Sequence, residues 1–169
     1  MRHTFNSPER FVAGTVGEPG ERAFYIQVRE GSRVISVALE KAQVQAIGSR
    51  LEVMVAEVKK SDPLISVVKL AHDDQPLESP IDSEFQVGAI SLAWDDQTQC
   101  ICLELYELEE DEEDTEGEVL EVNVSLGAAI AFATRSKAVV GAGRLPCPFC
   151  AIPIDPRGHQ CPRANGYRR

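Results

Sequence analysis

The sequence predicts an α+β fold, built from two βββα half-repeats with largely antiparallel strands and followed by a C-terminal zinc-knuckle tail. Short runs of alternating apolar residues are typical of half-buried strands, and two stretches with helical periodicity each follow three such runs. Three cysteines and a histidine then cluster in LPCPFCAIPIDPRGHQCPRANGYRR. We therefore predict an α+β domain over 1–142, with half-repeats at about 9–58 and 84–142 and a linker at 59–83, and a zinc-binding tail over 143–169.

The first half-repeat begins with three strand-like runs, RFVAGTV, RAFYIQVRE and SRVISVALE, separated by the turn-like segments GEPGE and EGS. In the second run Phe24, Ile26 and Val28 fall on one face and alternate with polar residues. The pattern then changes to a helical period, which predicts an amphipathic helix over 40–58. Its apolar stripe consists of Val44, Ile47, Leu51, Met54, Val55 and Val58.

The linker over 59–83 contains three prolines and reads mainly as a connector, although its LISVVKL segment could form a short strand or a helical turn on the core. The second half-repeat follows. EFQVGAISLAW and TQCICLELYEL predict a hairpin, and EVLEVNV predicts a third strand. SLGAAIAFATRSKAVVGAG predicts a helix with Ser125 as its N-cap and a glycine, Gly141 or Gly143, at its end.

The order strand, strand, strand, helix therefore occurs twice, and each half opens on a similar pair, Phe11 with Gly14 and Phe85 with Gly88. This pattern predicts two half-domains related by a pseudo-two-fold axis, with the helices covering sheet faces. Chance recurrence of common α+β elements is the alternative.

The charge of the chain is unevenly distributed. Its 169 residues carry a net charge of −10, but 1–142 hold 12 basic against 26 acidic residues, and 143–169 hold five arginines against one aspartate. An acidic body disfavours nucleic-acid binding, which needs a basic surface. No apolar run is long enough to span a membrane and no secretory signal is evident, so we expect no membrane partner and a cytoplasmic location.

A strongly acidic run lies between the last two predicted strands, with nine acidic residues from Glu107 to Glu118. Like charges at this density repel one another and are typical of a solvated loop. The alternative is a docking surface for a basic partner or for the arginine-rich tail. The spacing does not match a calcium-binding loop.

The strongest chemical signal is a candidate metal site in the tail, formed by Cys147, Cys150, His159 and Cys161. Two residues between the first pair of cysteines let both sulfurs reach one ion, and the prolines and glycine of AIPIDPRG suit a chain reversal that returns the second pair. Three thiolates and one imidazole form a complete tetrahedral set for Zn²⁺. Such a closed set leaves no position for substrate, so the predicted Zn²⁺ is structural.

The energetics of the tail favour the same interpretation. A proline-rich segment with few large apolar side chains cannot bury enough surface to order itself, whereas a structural Zn²⁺ contributes on the order of 10 kcal/mol. Three alternatives remain open. The Cys-x-x-Cys pair could be a redox motif, the cysteines could be unligated, or only three residues could bind and leave a position open, since His159 and Cys161 are separated by a single residue.

Other candidates are weaker. Cys100 and Cys102 point to the same side of a predicted strand and are interpreted as buried structural cysteines. His3 and His72 have no evident partners in the sequence. No phosphate-binding loop, nucleophile elbow or metalloprotease helix motif is present, so the sequence supports no catalytic residue and leaves an enzymatic activity uncertain.

The ending CPFCAIPIDPRGHQCPRANGYRR, the opening FVAGTVGEPGERAFYIQ and the central AISLAWDD resemble an actinobacterial family of uncharacterised proteins, a domain of unknown function, whose chains end in a CxxC…GHxCPRxNGY signature. The resemblance implies a short cytoplasmic protein without a settled activity, with genes that neighbour a histidine-phosphatase-like protein. It also implies that the four predicted metal ligands belong to one motif. Ala151 departs from the glycine that is common after such a cysteine pair.

Two function hypotheses follow. The first is a non-enzymatic protein-binding module, in which the tail presents Arg163, Asn165, Tyr167 and Arg168 to a protein partner. The second is an enzyme or enzyme subunit that acts on a phosphorylated metabolite together with the phosphatase-like neighbour, and it depends on the resemblance alone. A cleft between the halves with converging arginine and carboxylate groups would favour the second hypothesis.

Overall fold

The computed structural model describes residues 1–18, 20–110 and 116–142, and within them the predicted α+β class is confirmed as one seven-stranded sheet and two helices. In chain order the elements are β1 (Arg2–Phe5), β2 (Arg10–Val16), β3 (Ala23–Glu30), β4 (Arg33–Leu39), α1 (Lys41–Ser61), β5 (Ser83–Asp95), β6 (Cys100–Glu107), β7 (Val119–Val124) and α2 (Leu126–Gly141).

The sheet is mixed, with the strand order β1-β7-β6-β5-β4-β3-β2. The pairs β2–β3, β3–β4, β5–β6 and β6–β7 are antiparallel, as the hairpin-like connections predict. The pairs β4–β5 and β1–β7 are parallel. Parallel neighbours need a long crossover, and between β4 and β5 that crossover contains α1 and the whole linker.

The predicted pseudo-two-fold relation between the halves stays a prediction. In the observed order, the corresponding strands β2 and β5, β3 and β6, and β4 and β7 each lie three positions apart in the same direction along the sheet. The parallel β4–β5 pair joins the two βββ units in the same orientation.

The local patterns explain the elements. The predicted face of β3 is buried, with Ile26 and Val28 fully inaccessible to solvent. The predicted stripe of α1 is also buried. The start of this helix is capped by the Gln43 side chain, whose Oε1 accepts from the Glu40 backbone N–H at 2.7 Å. The helix continues three residues beyond the predicted end to Ser61. Gln43 Nε2 also donates to the carbonyls of Val87 and Gly88, which fastens α1 to β5.

The second helix is positioned by its cap and by aromatic packing. Ser125 Oγ accepts from the Ala128 backbone N–H at 3.1 Å, which confirms the predicted N-cap. Phe132 of α2 stacks on Phe11 of β2 with ring centroids 4.4 Å apart. The helix packs along α1 and against β2, β6 and β7, so it joins the two halves into one hydrophobic core.

Strand β1 was not predicted. Its four residues are too few to show an alternating pattern, and it is held by a partner remote in sequence, since Arg2 pairs in register with Val119 of β7. The Arg2 guanidinium also contacts the carboxylates of Glu104 and Glu121 at 2.8 and 2.7 Å. The pKa of Arg2 is raised by these hydrogen bonds.

The linker forms neither a strand nor a helix over LISVVKL, yet two of the side chains in this segment are half-buried. Ile65 and Val67 pack against the core. A Cβ atom added to Gly127 of α2 would lie only 1.8 Å from the carbonyl oxygen of Val68, so only glycine permits this approach of linker and helix. Farther along, the side chain of Leu77 covers Gly14 of β2.

The linker also completes the polar interactions of the sheet. Gln27 of β3 is almost fully buried. Its amide exchanges two hydrogen bonds with the Glu78 backbone, at 3.0 and 2.8 Å, and donates a third to Ser36 Oγ. The linker therefore acts as a strap over one face of the sheet. Neither helix in the described ranges is long and apolar enough to cross a membrane.

Candidate functional site

The four predicted metal ligands, Cys147, Cys150, His159 and Cys161, and the predicted contact residues, Arg163, Asn165, Tyr167 and Arg168, lie outside the described residues. The described chain ends at Ala142, directly after α2. Arg22 Nη1 donates to the carbonyls of Val139 and Ala142 at 3.2 and 3.4 Å. A cation at this end satisfies the last carbonyls of the helix, so the segment that leads into the tail is anchored to the body.

Near this helix end, Arg135 connects three separate elements. Its side chain projects from α2 and is only 9% exposed. Nε donates to the carbonyl of Ala13 in β2 at 2.8 Å, and Nη1 donates to the carbonyl of Asp73 in the linker at 2.9 Å. Because β2 is an edge strand, Arg135 satisfies a carbonyl that has no neighbouring strand.

Asp73 lies between two arginines. Its Oδ1 is 3.2 Å from Arg135 Nη1, and its Oδ2 accepts from Arg10 Nε at 2.7 Å. Arg10 Nη2 also donates to the carbonyls of Gln75 and Pro76. We call Arg10, Asp73 and Arg135 the arginine clamp. It fastens the linker to the free edge of the sheet and to α2.

The electrostatics of the arginine clamp fit a structural role. Hydrogen bonding from the Arg10 guanidinium lowers the pKa of Asp73, although partial burial opposes this shift. Burial lowers the pKa of Arg135, and the charge of Asp73 opposes that shift. Asp73 is therefore held ionised by its partners, and its proton affinity is not suited to general acid or base catalysis near neutral pH.

A cleft of ≈ 410 Å³ opens beside the clamp, lined by β2, the linker and α2. It lies between the halves, since β2 and α2 belong to different half-repeats, which is the position that would favour the enzyme hypothesis. Its polar walls include Arg22, His72, Asp74 and members of the clamp. Arg22 and Arg135 are nevertheless bound to backbone carbonyls of the protein itself.

A second polar cluster lies at the β1 end of the sheet. His3 of β1, Glu84 of β5 and Glu118, which precedes β7, place one ligand atom each within 4.8 Å of one another. Imidazole and carboxylate groups at this spacing could hold a divalent cation.

The two cysteines of β6 differ from the prediction. Cys100 and Cys102 do share one side of the strand, but that side is only half-buried, and Ile101 and Leu103 face the core instead. The pKa of Cys102 is raised, first by desolvation and then by the charges of Glu121 and Glu104. A thiol in this environment stays protonated and is a poor nucleophile and metal ligand.

The sequence interpretation missed the arginine clamp and the His3 cluster. One signal for the clamp was available, because Arg135 directly follows the apolar run AAIAFAT and falls on the buried side of a predicted helix. Such an arginine needs a buried partner. The His3 cluster had no comparable signal, since its three residues are distant in sequence and meet only through the strand order.

Comparison with known proteins gives a family and no further relatives. No curated protein and no solved structure matches the chain significantly. A family profile matches residues 3–161, a span that includes all described elements except the first residue of β1 and also reaches the last predicted metal ligand. The chain therefore belongs to the family described as protein of unknown function (DUF3090).

Proposed function

We propose that the protein is a non-enzymatic protein-binding module whose tail, 143–169, is organised by a structural Zn²⁺. The observation that carries the non-enzymatic part is the internal engagement of the arginine clamp. Its guanidinium groups bind Asp73 and four backbone carbonyls, so they serve to hold the linker. A catalytic cleft needs charged groups that are available to a substrate.

The zinc part rests on the chemistry of the tail. Cys147, Cys150, His159 and Cys161 provide the borderline-soft donors that Zn²⁺ prefers, and four of them complete a tetrahedral site. The ion would hold together a segment that follows directly from the anchored end of α2. In this proposal the body supports the zinc-organised segment.

The proposed partner surface is the sequence that follows the last proposed metal ligand. Arg163, Asn165, Tyr167 and Arg168 come directly after the last ligand, so the metal would restrict the conformations of this segment. Arginine and tyrosine are enriched among the residues that dominate protein–protein binding. Because the segment is basic and the body is acidic, we propose a protein partner with an acidic patch rather than a nucleic acid.

Affinity capture with variants tests the binding role. Full-length protein is crosslinked in a native extract, and its partners are quantified by mass spectrometry. We expect one partner to be retained by the wild type and by Lys137→Ala on the body, and to be reduced at least tenfold by Arg163→Ala/Tyr167→Ala and by Cys147→Ser/Cys150→Ser. Equal recovery of every protein by all four forms would contradict the proposal.

The cleft beside the clamp favours one alternative, an enzyme or enzyme subunit that acts on a phosphorylated metabolite with a phosphatase-like partner. Two arginines line this cleft, and arginine is well suited to bind phosphate. A phosphate group would, however, have to displace Asp73 from Arg135 or the helix carbonyls from Arg22. The module therefore fits the geometry better.

A further inference from the structure

His3 of β1 contains a buried polar atom without a hydrogen-bond partner. Its Nε2 is inaccessible to solvent and makes no hydrogen bond. The distance from His3 Nε2 to Oε1 of Glu118, with which it forms an ion pair when the imidazole is protonated, is 3.6 Å. This distance is too long for an N–H···O hydrogen bond, and leaving a buried nitrogen unpaired is unfavourable.

The same distance fits two ligands of one ion. A metal with Zn–N and Zn–O bonds of normal length and tetrahedral angles separates its ligand atoms by about 3.4 Å. All three ligand atoms of His3, Glu84 and Glu118 lie within 4.8 Å of one another, which is the range expected for neighbouring and opposite positions around a first-row metal. One cation among them would give the unpaired nitrogen a partner.

The backbone around two of these residues is well fixed. The Glu118 N–H donates to Glu107 Oε2 at 2.9 Å, and the Glu118 carbonyl accepts from the Glu107 N–H at 2.9 Å. The adjacent Val119 N–H donates to the carbonyl of Met1 at 3.0 Å, which joins β7 to the start of β1. His3 and Glu118 are therefore placed side by side before any ion binds.

The third residue leaves the cluster open. Glu84 is exposed, whereas His3 and Glu118 are half-buried, so an ion can enter from the Glu84 side and keep water ligands there. Glu118 is also the last residue of the acidic run. A dense negative charge raises the local concentration of cations and speeds their association.

We propose that His3, Glu84 and Glu118 form a second metal site, for a divalent first-row transition cation. One imidazole and two carboxylates suit Mn²⁺, Fe²⁺ or Zn²⁺. The thiolates proposed as ligands in the tail favour softer metal ions. Three protein ligands leave at least one position for water. This site belongs to the body and does not depend on the proposed function of the tail.

Titration with Mn²⁺ tests this site, because Mn²⁺ prefers oxygen and nitrogen ligands and competes poorly for thiolates. Full-length protein, purified without added metal, is titrated while free Mn²⁺ is measured by electron paramagnetic resonance. We expect one saturable site per chain. His3→Ala and Glu84→Gln should each weaken binding at least tenfold, whereas Glu57→Gln on α1 should bind as the wild type does.

A second measurement locates the ion even if a variant folds poorly. In wild-type protein, substoichiometric Mn²⁺ should broaden the imidazole NMR signals of His3 and leave those of His72 sharp, because His72 lies in the cleft beside the arginine clamp. Absence of saturable binding overturns the proposal. Binding that persists unchanged in His3→Ala overturns it too, since the acidic run alone would then hold the ion. Equal broadening of the His3 and His72 signals has the same consequence.

Discussion

Replacement of Arg135 with alanine is expected to lower the free energy of unfolding by about 2–4 kcal/mol. The change removes the hydrogen bonds to the carbonyls of Ala13 and Asp73 and the ion pair with the Asp73 carboxylate. It also opens a void in a side-chain position that is only 9% exposed. Denaturation by urea, followed by tryptophan fluorescence and circular dichroism, measures the effect.

Lys137→Ala is the matched control on the same helix. Lys137 pairs with Glu52 at 2.8 Å, but its side chain is 69% exposed, and such surface pairs contribute about 0–1 kcal/mol. Arg135→Lys should give an intermediate loss of unfolding free energy. Lysine keeps the charge, but its single nitrogen atom cannot replace the separate Nε and Nη1 donors that bind the carbonyls of β2 and the linker. If Arg135→Ala and Lys137→Ala proved equally stable, the arginine clamp would not hold the linker as described.

Replacement of Gly127 with alanine is expected to destabilise the protein by about 2–3 kcal/mol. The added Cβ would lie 1.8 Å from the carbonyl oxygen of Val68, so the linker has to move away from α2. Hydrogen exchange should show the cause directly. Amides near Val68 should exchange faster in the variant, because displacement of the linker also loosens the packing of Ile65 and Val67 on the core.

Gly141→Ala is the control for the intrinsic effect of alanine in a helix. A Cβ at Gly141 meets no atom within 4 Å, and the residue ends the same helix as Gly127. Alanine should leave stability unchanged there or raise it by up to about 1 kcal/mol. A Gly127→Ala variant as stable as Gly141→Ala would show that the linker does not approach the helix closely.

Local patterns in the sequence predicted the elements well. The stripe of α1 and the alternation of β3 each record which side of an element is buried, because burial is decided by apolar surface. Ser125 was identified as an N-cap because its hydroxyl can satisfy an N–H group of the first helical turn. These features depend on residues close together in the chain.

The features that were missed depend on distant pairing. The short strand β1 exists because β7 offers an edge more than a hundred residues later, and the common orientation of the two βββ units follows from the parallel β4–β5 pairing. The position of Asp73 between Arg10 and Arg135 likewise follows from the path of the linker. A single sequence records periodicity but does not record which edges meet.

The two candidate metal sites, in the tail and at the His3 cluster, differ in the same way. The tail ligands are close in sequence, so their spacing alone predicts a metal site. The three residues of the His3 cluster come from β1, β5 and the segment before β7, and no spacing brings them together. The strand order brings these residues together, and the buried Nε2 atom of His3 has no hydrogen-bond partner.

The most direct test of the zinc-organised tail is the metal content of freshly purified, reduced protein by native mass spectrometry. We expect one tightly held zinc per chain that is lost in Cys147→Ser/Cys150→Ser and kept in His3→Ala, which separates the tail from the His3 cluster. A wild-type protein without zinc, or zinc that is retained when both cysteines are replaced, would contradict the account.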